Sequence, residues 1–189
     1  KSSTKSGLVE KIDQEAGMKG SFWPGEWLSD DFPDARLFTL KYKTNLTQWS
    51  GASLPLQEVF YSCPHFGSKL ADMPWQIGFV FRPAPSIGEL KSGSSRLVEL
   101  NEFIGQLHGK GLLKVLSFCE TKVTPIVEGY GGWALRMEVV PPESAYPGFG
   151  ELVVLESTDH INSCKPVGRR DPSYAEMLNL LRKLKAEFN

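Results

Sequence analysis

Three histidines, His65, His108 and His160, are the residues of this chain best suited to transfer a proton. Imidazole titrates near neutral pH, so it is the usual general base for activating a serine or a cysteine. His108 lies just before Gly109 on the polar side of a predicted helix, where a half-exposed histidine needs no function. His65 and His160 each follow a predicted strand, and ligands of open α/β sheets gather at such carboxyl ends. These two are the candidate functional histidines, and His65 is expected mainly to line a pocket.

Two glutamates also follow predicted strands and could orient a histidine tautomer. Glu120 comes directly after the predicted strand at residues 112–119, and Glu143 follows the one at residues 137–140. Exposed glutamates are common in soluble proteins, and without a partner each is more often solvated surface than a catalytic acid. Both acids therefore stay open at this point.

No serine has the surroundings of a hydrolase nucleophile. A nucleophile elbow needs G-x-S-x-G, because the glycines relieve the strained turn that presents the serine, and the 189 residues contain no match. Ser53 and Ser68 each have a glycine on one side only. The glycine-rich segment at residues 129–132 lacks the phosphate-loop pattern and is interpreted as a turn.

Cysteine usage and composition exclude several other classes. Cys63, Cys119 and Cys164 are far apart and lack C-x-x-C spacing, which argues against a disulfide framework and a zinc site and favours a reducing, intracellular compartment. The 21 basic and 22 acidic residues are interspersed, so no nucleic-acid partner is predicted. The longest apolar runs, such as residues 77–81, fall far short of the ~20 residues that span a membrane. We expect a soluble or peripheral protein whose own N-terminus lies upstream of Lys1.

Hydrophobic periodicity predicts one α/β domain across residues 1–189. A helix is predicted where apolar residues recur at helical spacing between residues 97 and 107, and Gly109 ends it. A second helix follows Asp171 as cap and Pro172 at its first position. Its apolar stripe is Tyr174, Met177, Leu178, Leu181, Leu184 and Phe188. The predicted strands are residues 35–42, 59–63, 112–119, 137–140 and 152–155. Alternation of strands with helices favours a mostly parallel sheet flanked by helices.

Segments along nearly the whole chain resemble one family, the serine active site-containing lipase-like proteins. They are residues 27–36, 42–56, 60–68, 115–121, 139–145 and 159–166. The resemblance implies an α/β-hydrolase associated with phospholipid remodelling, notably of phosphatidylglycerol, and with mitochondria and the endoplasmic reticulum. It implies a lipid or small ester as substrate. Peripheral membrane association is a further expectation, and no cofactor is expected.

Carried over by position, the resemblance makes His160 the catalytic base, Glu120 its acid and Glu143 the reserve acid. His65 and Ser68 are expected to line a pocket.

Two family features are missing from the sequence. The glycine-rich oxyanion loop is expected before Lys1, and a strand, serine elbow and helix are expected between Val59 and Phe60. The chain is thus interpreted as an incomplete α/β-hydrolase that is inactive as it stands. A non-catalytic lipid- or protein-binding module and a truncated form without function are the alternatives. If the segment is absent, the strands at residues 35–42 and 59–63 should pair in parallel, since residues 43–58 are long enough for a crossover.

Overall fold

The computed structural model describes residues 22–33, 56–73, 85–128 and 134–188. The chain divides into two compact units, Lys1–Ser50 and Gly51–Asn189. In the first unit, helix α1 (Trp23–Asp31) carries Pro24 in its first turn, where a missing N–H leaves no helical bond unmade. The predicted strand at residues 35–42, and its pairing, lie outside the described residues.

The second unit contains a three-stranded parallel sheet, a β-hairpin and several helices. Its described elements are β1 (Leu56–Tyr61), α2 (Lys69–Asp72), a 3-10 helix (Pro85–Leu90), α3 (Ser95–Gly109), β2 (Leu113–Glu120), β3 (Thr124–Glu128), β4 (Ala134–Met137), α4 (Pro142–Ala145), β5 (Glu151–Leu155), a 3-10 turn (His160–Asn162) and α5 (Pro172–Phe188). The strand order is β1-β2-β5, and both pairs are parallel. The structure therefore contains the predicted mostly parallel sheet with flanking helices, which is compatible with the α/β class.

Strand β2 forms the centre of this unit. Seven of its eight residues are buried, and Lys114 is the exception. A central parallel strand is covered on both faces, so its sequence is a nearly continuous apolar run rather than an alternating one. Helix α3 packs against β2, and α5 packs against both β2 and β5. The core of the unit thus lies along β2.

Helix α5 begins at the predicted residue, but its buried residues differ from the predicted apolar stripe. The Asp171 carboxylate accepts hydrogen bonds from the N–H and the hydroxyl of Ser173, at 3.0 and 2.8 Å, which caps the helix. Leu180 is buried and Leu181 only half-buried, so the predicted stripe was wrong at this position. The helix contacts two strands, which widens the face that it buries.

Two strand predictions were wrong. The strand predicted at residues 137–140 ends at Met137, because the backbone of the next residues bonds elsewhere: the carbonyl of Val139 accepts from Ser68 and Lys69. Strand β3 was not predicted, because a proline normally argues against a strand. Pro125 is tolerated in a hairpin whose register is irregular beside it.

Strand β1 is continuous across the position where the family resemblance predicts a missing segment. Val59 pairs with Leu116 and Phe60 pairs with Ser117, with no bulge between them. Residues from both sides of that position therefore form one regular strand, which begins at Leu56 rather than at residue 59 and ends at Tyr61. The missing segment itself stays a prediction.

Candidate acid–histidine site

Glu120 and His160 meet at the carboxyl edge of the parallel sheet. Glu120 is the last residue of β2 and is paired in register with Leu155, the last residue of β5. His160 begins the 3-10 turn five residues further along the chain. Because neighbouring parallel strands end at the same edge, this short connection brings the histidine back over β2. Nδ1 of His160 lies 3.0 Å from Oε2 of Glu120.

The Glu120 carboxylate is fully buried and has a partner for each oxygen. Its side chain is 0% exposed, its Oε2 faces His160, and its Oε1 accepts from the N–H of Val140 at 3.2 Å. An ionised carboxylate can only accept hydrogen bonds, so the Nδ1 of a neutral His160 must carry the proton. The other ring nitrogen, Nε2, is then left with a lone pair.

Three hydrogen bonds fix the backbone at and around His160. Its N–H donates to the hydroxyl of buried Thr124 at 3.0 Å, and its carbonyl accepts from the hydroxyl of buried Ser163 at 3.0 Å. Asp159 caps the turn by accepting from the N–H of Asn162 at 3.0 Å. The imidazole is nevertheless 34% exposed, in contrast to the carboxylate behind it. This arrangement can exchange a proton with a molecule that arrives from solvent.

The structure decides which acid contacts His160. The expected approach of Glu120 and His160 is present, whereas Glu143 is exposed in the first turn of α4. Glu143 is therefore not the carboxylate that binds the histidine in this structure. Sequence reasoning placed Glu120 just beyond its strand, but it is the last, buried residue of β2. The catalytic roles of the pair stay predictions.

His65 and Ser68 lie in a buried loop that follows β1. The N–H of His65 donates to the carbonyl of Ser144 at 2.8 Å, and its ring meets the Phe60 ring edge-on with centroids 4.7 Å apart. The hydroxyl of Ser68 donates to the carbonyl of Val139 at 2.8 Å. Gly67 has a positive φ, and a Cβ there would lie 2.5 Å from the backbone of Ser92. The loop is thus tightly held, and the pocket-lining role of its residues stays a prediction.

Burial makes His65 a neutral residue. It is 5% exposed, and desolvation lowers its pKa to about 4, although the nearby Asn101 side chain opposes this effect. Neither Nε2 of His65 nor Oδ1 of Asn101 completes a hydrogen bond of good geometry with the described residues. His65 and the half-exposed His160 therefore differ in burial as well as in position.

Sequence reasoning did not single out Ser62, which has an unusual backbone. It follows β1 directly, is 1% exposed and has a φ of +48°, in the left-handed region that non-glycine residues seldom adopt. Its N–H donates to the carbonyl of Phe118 at 2.9 Å, which extends the ladder past the strand. Its hydroxyl has no hydrogen-bond partner within the described part of the chain. Neither neighbour is a glycine, so the elbow pattern could not have found it.

The thiols of Cys63 and Cys119 do not replace the serine nucleophile. Burial, followed by the nearby Glu58 carboxylate, raises the pKa of the Cys63 thiol to about 11, and burial also raises that of Cys119. Only a thiolate is an effective nucleophile, so both side chains are inert at neutral pH. Across the described ranges, no group of histidine, cysteine and acidic side chains could hold a metal ion. Within the same ranges, no helix combines the length and apolarity needed to cross a membrane.

The fold and this pair define an α/β unit with a buried carboxylate that orients a partly exposed histidine. Its sequence is similar to curated proteins named Protein SERAC1. The human protein is 24% identical over 243 residues, which cover 97% of this chain and 36% of the relative. The bovine protein is 24% identical over 93% of this chain and 35% of its own length. The zebrafish (Danio rerio) protein is 24% identical over 85% of this chain and 32% of its own length.

The chain spans about a third of the length of the curated relatives that it matches. The alignment with the human relative runs over 243 residues, more than the 189 residues of this chain, so residues of the relative have no counterpart here. No protein-family model matches the chain. No solved structure matches it.

Proposed function

We propose that this chain carries the acid and base of a serine-hydrolase site of the lipase/esterase type, within an incomplete α/β-hydrolase fold. The observation that carries the proposal is the contact between the buried Glu120 carboxylate and Nδ1 of His160 at 3.0 Å. In a catalytic triad, too, a carboxylate accepts from Nδ1–H of the histidine and orients the ring, so that Nε2 is free to act as the base.

In this proposal His160 Nε2 takes the proton of an attacking hydroxyl and later returns it to the leaving group. Glu120 stabilises the imidazolium that forms between these two steps. The hydroxyl comes from a nucleophile elbow, which the 189 residues do not contain. The chain as it stands therefore does not turn over esters, and a longer form that supplies both the elbow and the oxyanion loop does.

The proposed substrate class is a lipid ester, with phospholipids of the phosphatidylglycerol type first. The resemblance to the serine active site-containing lipase-like family and the similarity to Protein SERAC1 along most of the chain support this class. A mitochondrial or endoplasmic-reticulum location is proposed on the same resemblance.

A second candidate function is binding of a lipid without turnover. The absence of G-x-S-x-G in a chain that still orients His160 favours it. Binding of a radiolabelled fatty acid by the purified chain, in the absence of any ester hydrolysis, would support this candidate. A chain that unfolds without cooperativity would instead support a truncated form without function.

The tautomer of His160 tests the proposed role of the pair. In ¹⁵N NMR spectra of the neutral ring, we expect His160 to carry its proton on Nδ1, because the buried carboxylate accepts it there. In Glu120→Gln the side-chain amide can turn either its oxygen or its nitrogen toward the ring, and we expect the preference for Nδ1–H to weaken. Glu143→Gln is the matched control and should leave the spectrum unchanged. A proton on Nε2 in the unmodified chain would contradict the proposal.

A further inference from the structure

Two loops meet at the carboxyl edge of the sheet beside the acid–histidine pair. The acid loop, residues 121–123, leads from Glu120 into β3, and the histidine loop, residues 156–159, leads from β5 to His160. Their backbones are in contact, because the carbonyl of Thr158 accepts hydrogen bonds from two N–H groups of the acid loop, at 3.1 and 3.0 Å. The loop that follows the acid is therefore attached directly to the loop that precedes the base.

The hydroxyl of Thr121 connects the same two loops. It donates to the carbonyl of Leu155, the last residue of β5, and accepts from the N–H of Ser157, both at 3.0 Å. Ser157 has a φ of +61°, in the left-handed region that residues with a Cβ seldom adopt. Such a conformation persists only where the surrounding contacts fix it. The Thr121 hydroxyl is one of the contacts that turn the chain from β5 toward His160.

Thr124 binds the histidine loop at its other end. It is the first residue of β3, its side chain is buried, and its hydroxyl accepts the N–H of His160 at 3.0 Å. The two threonines thus bond the chain on both sides of the histidine loop, Thr121 at Leu155 and Ser157 and Thr124 at His160. The path of the chain between β5 and the base is fixed at its beginning and at its end.

The β3–β4 hairpin that begins at Thr124 also contacts the acid. Strand β4 ends at Met137, and three residues later the N–H of Val140 donates to Oε1 of Glu120 at 3.2 Å. One segment of the chain therefore bonds the backbone of the base at its first residue and the carboxylate of the acid just beyond its last strand. The position of the histidine relative to the acid depends on this segment.

We propose that Thr121 and Thr124 are positioning residues, whose hydroxyls place the ring of His160 against the Glu120 carboxylate. The inference rests on the proposed function and deepens it, since it names the side chains on which the orientation of the proposed base depends. Both threonines act through the backbone of residues 155–160 and bond neither ring nitrogen. The contact with Glu120 fixes one nitrogen of a ring that is 34% exposed. The threonines fix the chain that carries the ring, and a displacement of about 1 Å is enough to impair a reaction.

The His160 tautomer, measured by ¹⁵N NMR on the 189-residue chain, tests this role. Thr124→Val removes the acceptor of the His160 N–H and keeps the shape of the side chain. A ring released from Glu120 can carry its proton on either nitrogen, so we expect the ratio of Nδ1–H to Nε2–H to fall roughly fivefold, the effect of one ordinary hydrogen bond on an equilibrium. Thr121→Val should change the ratio in the same direction. Thr124→Ser keeps the hydroxyl and should retain the ratio of the unmodified chain.

Thr158→Val is the matched control. Its hydroxyl donates within the histidine loop itself, to the carbonyl of Glu156 at 3.4 Å, so the tautomer ratio should not change. The free energy of unfolding is measured for every variant, because the exchange of buried Thr124 lowers stability as well. Thr121 is exposed, so Thr121→Val should fold and report on the ratio even if Thr124→Val does not.

An unchanged tautomer ratio in a folded Thr121→Val or Thr124→Val variant would overturn the positioning role of that threonine, whatever its loss of stability. A fall in Thr158→Val as large as theirs would overturn it for both. These outcomes differ from a failure of the proposed function. A proton on Nε2 of His160 in the unmodified chain would contradict that function before any threonine is changed.

Discussion

Replacing Glu120 with alanine should lower the free energy of unfolding by about 3 kcal/mol. The variant leaves the N–H of Val140, a residue that is 1% exposed, without its acceptor, and a buried unsatisfied donor costs roughly 1 to 3 kcal/mol. It also removes the partner of His160 and leaves a cavity where the fully buried side chain lay. Chemical denaturation followed by circular dichroism measures the change.

Two further variants show which contact of Glu120 matters. Glu120→Gln keeps an oxygen for the N–H of Val140, so it should cost less than the alanine variant. Glu143→Ala removes an exposed acid and should change stability by no more than about 0.5 kcal/mol. Equal losses of unfolding free energy in Glu120→Ala and Glu143→Ala would contradict the conclusion that the Glu120 carboxylate is buried and has a hydrogen-bond partner for each oxygen.

Stability should fall on mild acidification because of His65. Its pKa is lowered from 6.5 to about 4 in the folded chain, so between these values the unfolded chain binds a proton that the folded chain does not. The free energy of unfolding contributed by this residue is therefore intact above pH 6.5 and declines as the pH falls toward about 4. Since one pKa unit corresponds to ~1.4 kcal/mol, the total decline is about 3 kcal/mol.

The variant His65→Gln should flatten this pH dependence, whatever it does to stability at neutral pH. His108→Gln is the matched control, since it removes a half-buried histidine of α3 and keeps His65 in place. Denaturation midpoints measured from neutral pH downward provide the slopes. Unchanged slopes in His65→Gln would show that this histidine is protonated as easily in the folded chain as in the unfolded one.

The meeting of Glu120 and His160 was predictable because it depends on topology. Two apolar runs that become neighbouring parallel strands end at one edge, and the residues after them share that edge. The start of α5 was equally predictable, because Asp171 and Pro172 are local signals for the beginning of a helix. Choosing Glu120 over Glu143 needed the family resemblance, since both acids follow apolar runs.

The support around the pair could not be predicted in the same way. Apolar residues Val139 and Val140 are buried outside any strand, where the N–H of Val140 bonds the Glu120 carboxylate. Thr124, whose hydroxyl accepts a hydrogen bond from the N–H of His160, lies at the start of strand β3. This strand was not predicted, because Pro125 argues against a strand in the sequence. Ser62 adopts a left-handed backbone conformation, although glycine is the residue from which that conformation is normally predicted. In each case a tertiary contact decides the conformation against the local signal.

Fluorophosphonate labelling tests most directly whether these residues hold the acid and base of a serine hydrolase but not its nucleophile. The 189-residue chain should take up no probe and hydrolyse short-chain esters no faster than background. A second version would carry the two segments that the family resemblance predicts: the glycine-rich oxyanion loop before Lys1, and the strand, serine elbow and helix between Val59 and Phe60. That version should be labelled at one serine, and the labelling should be lost in His160→Ala. Stoichiometric labelling of any serine in the 189-residue chain, or labelling of the longer version that does not depend on His160, would contradict the account.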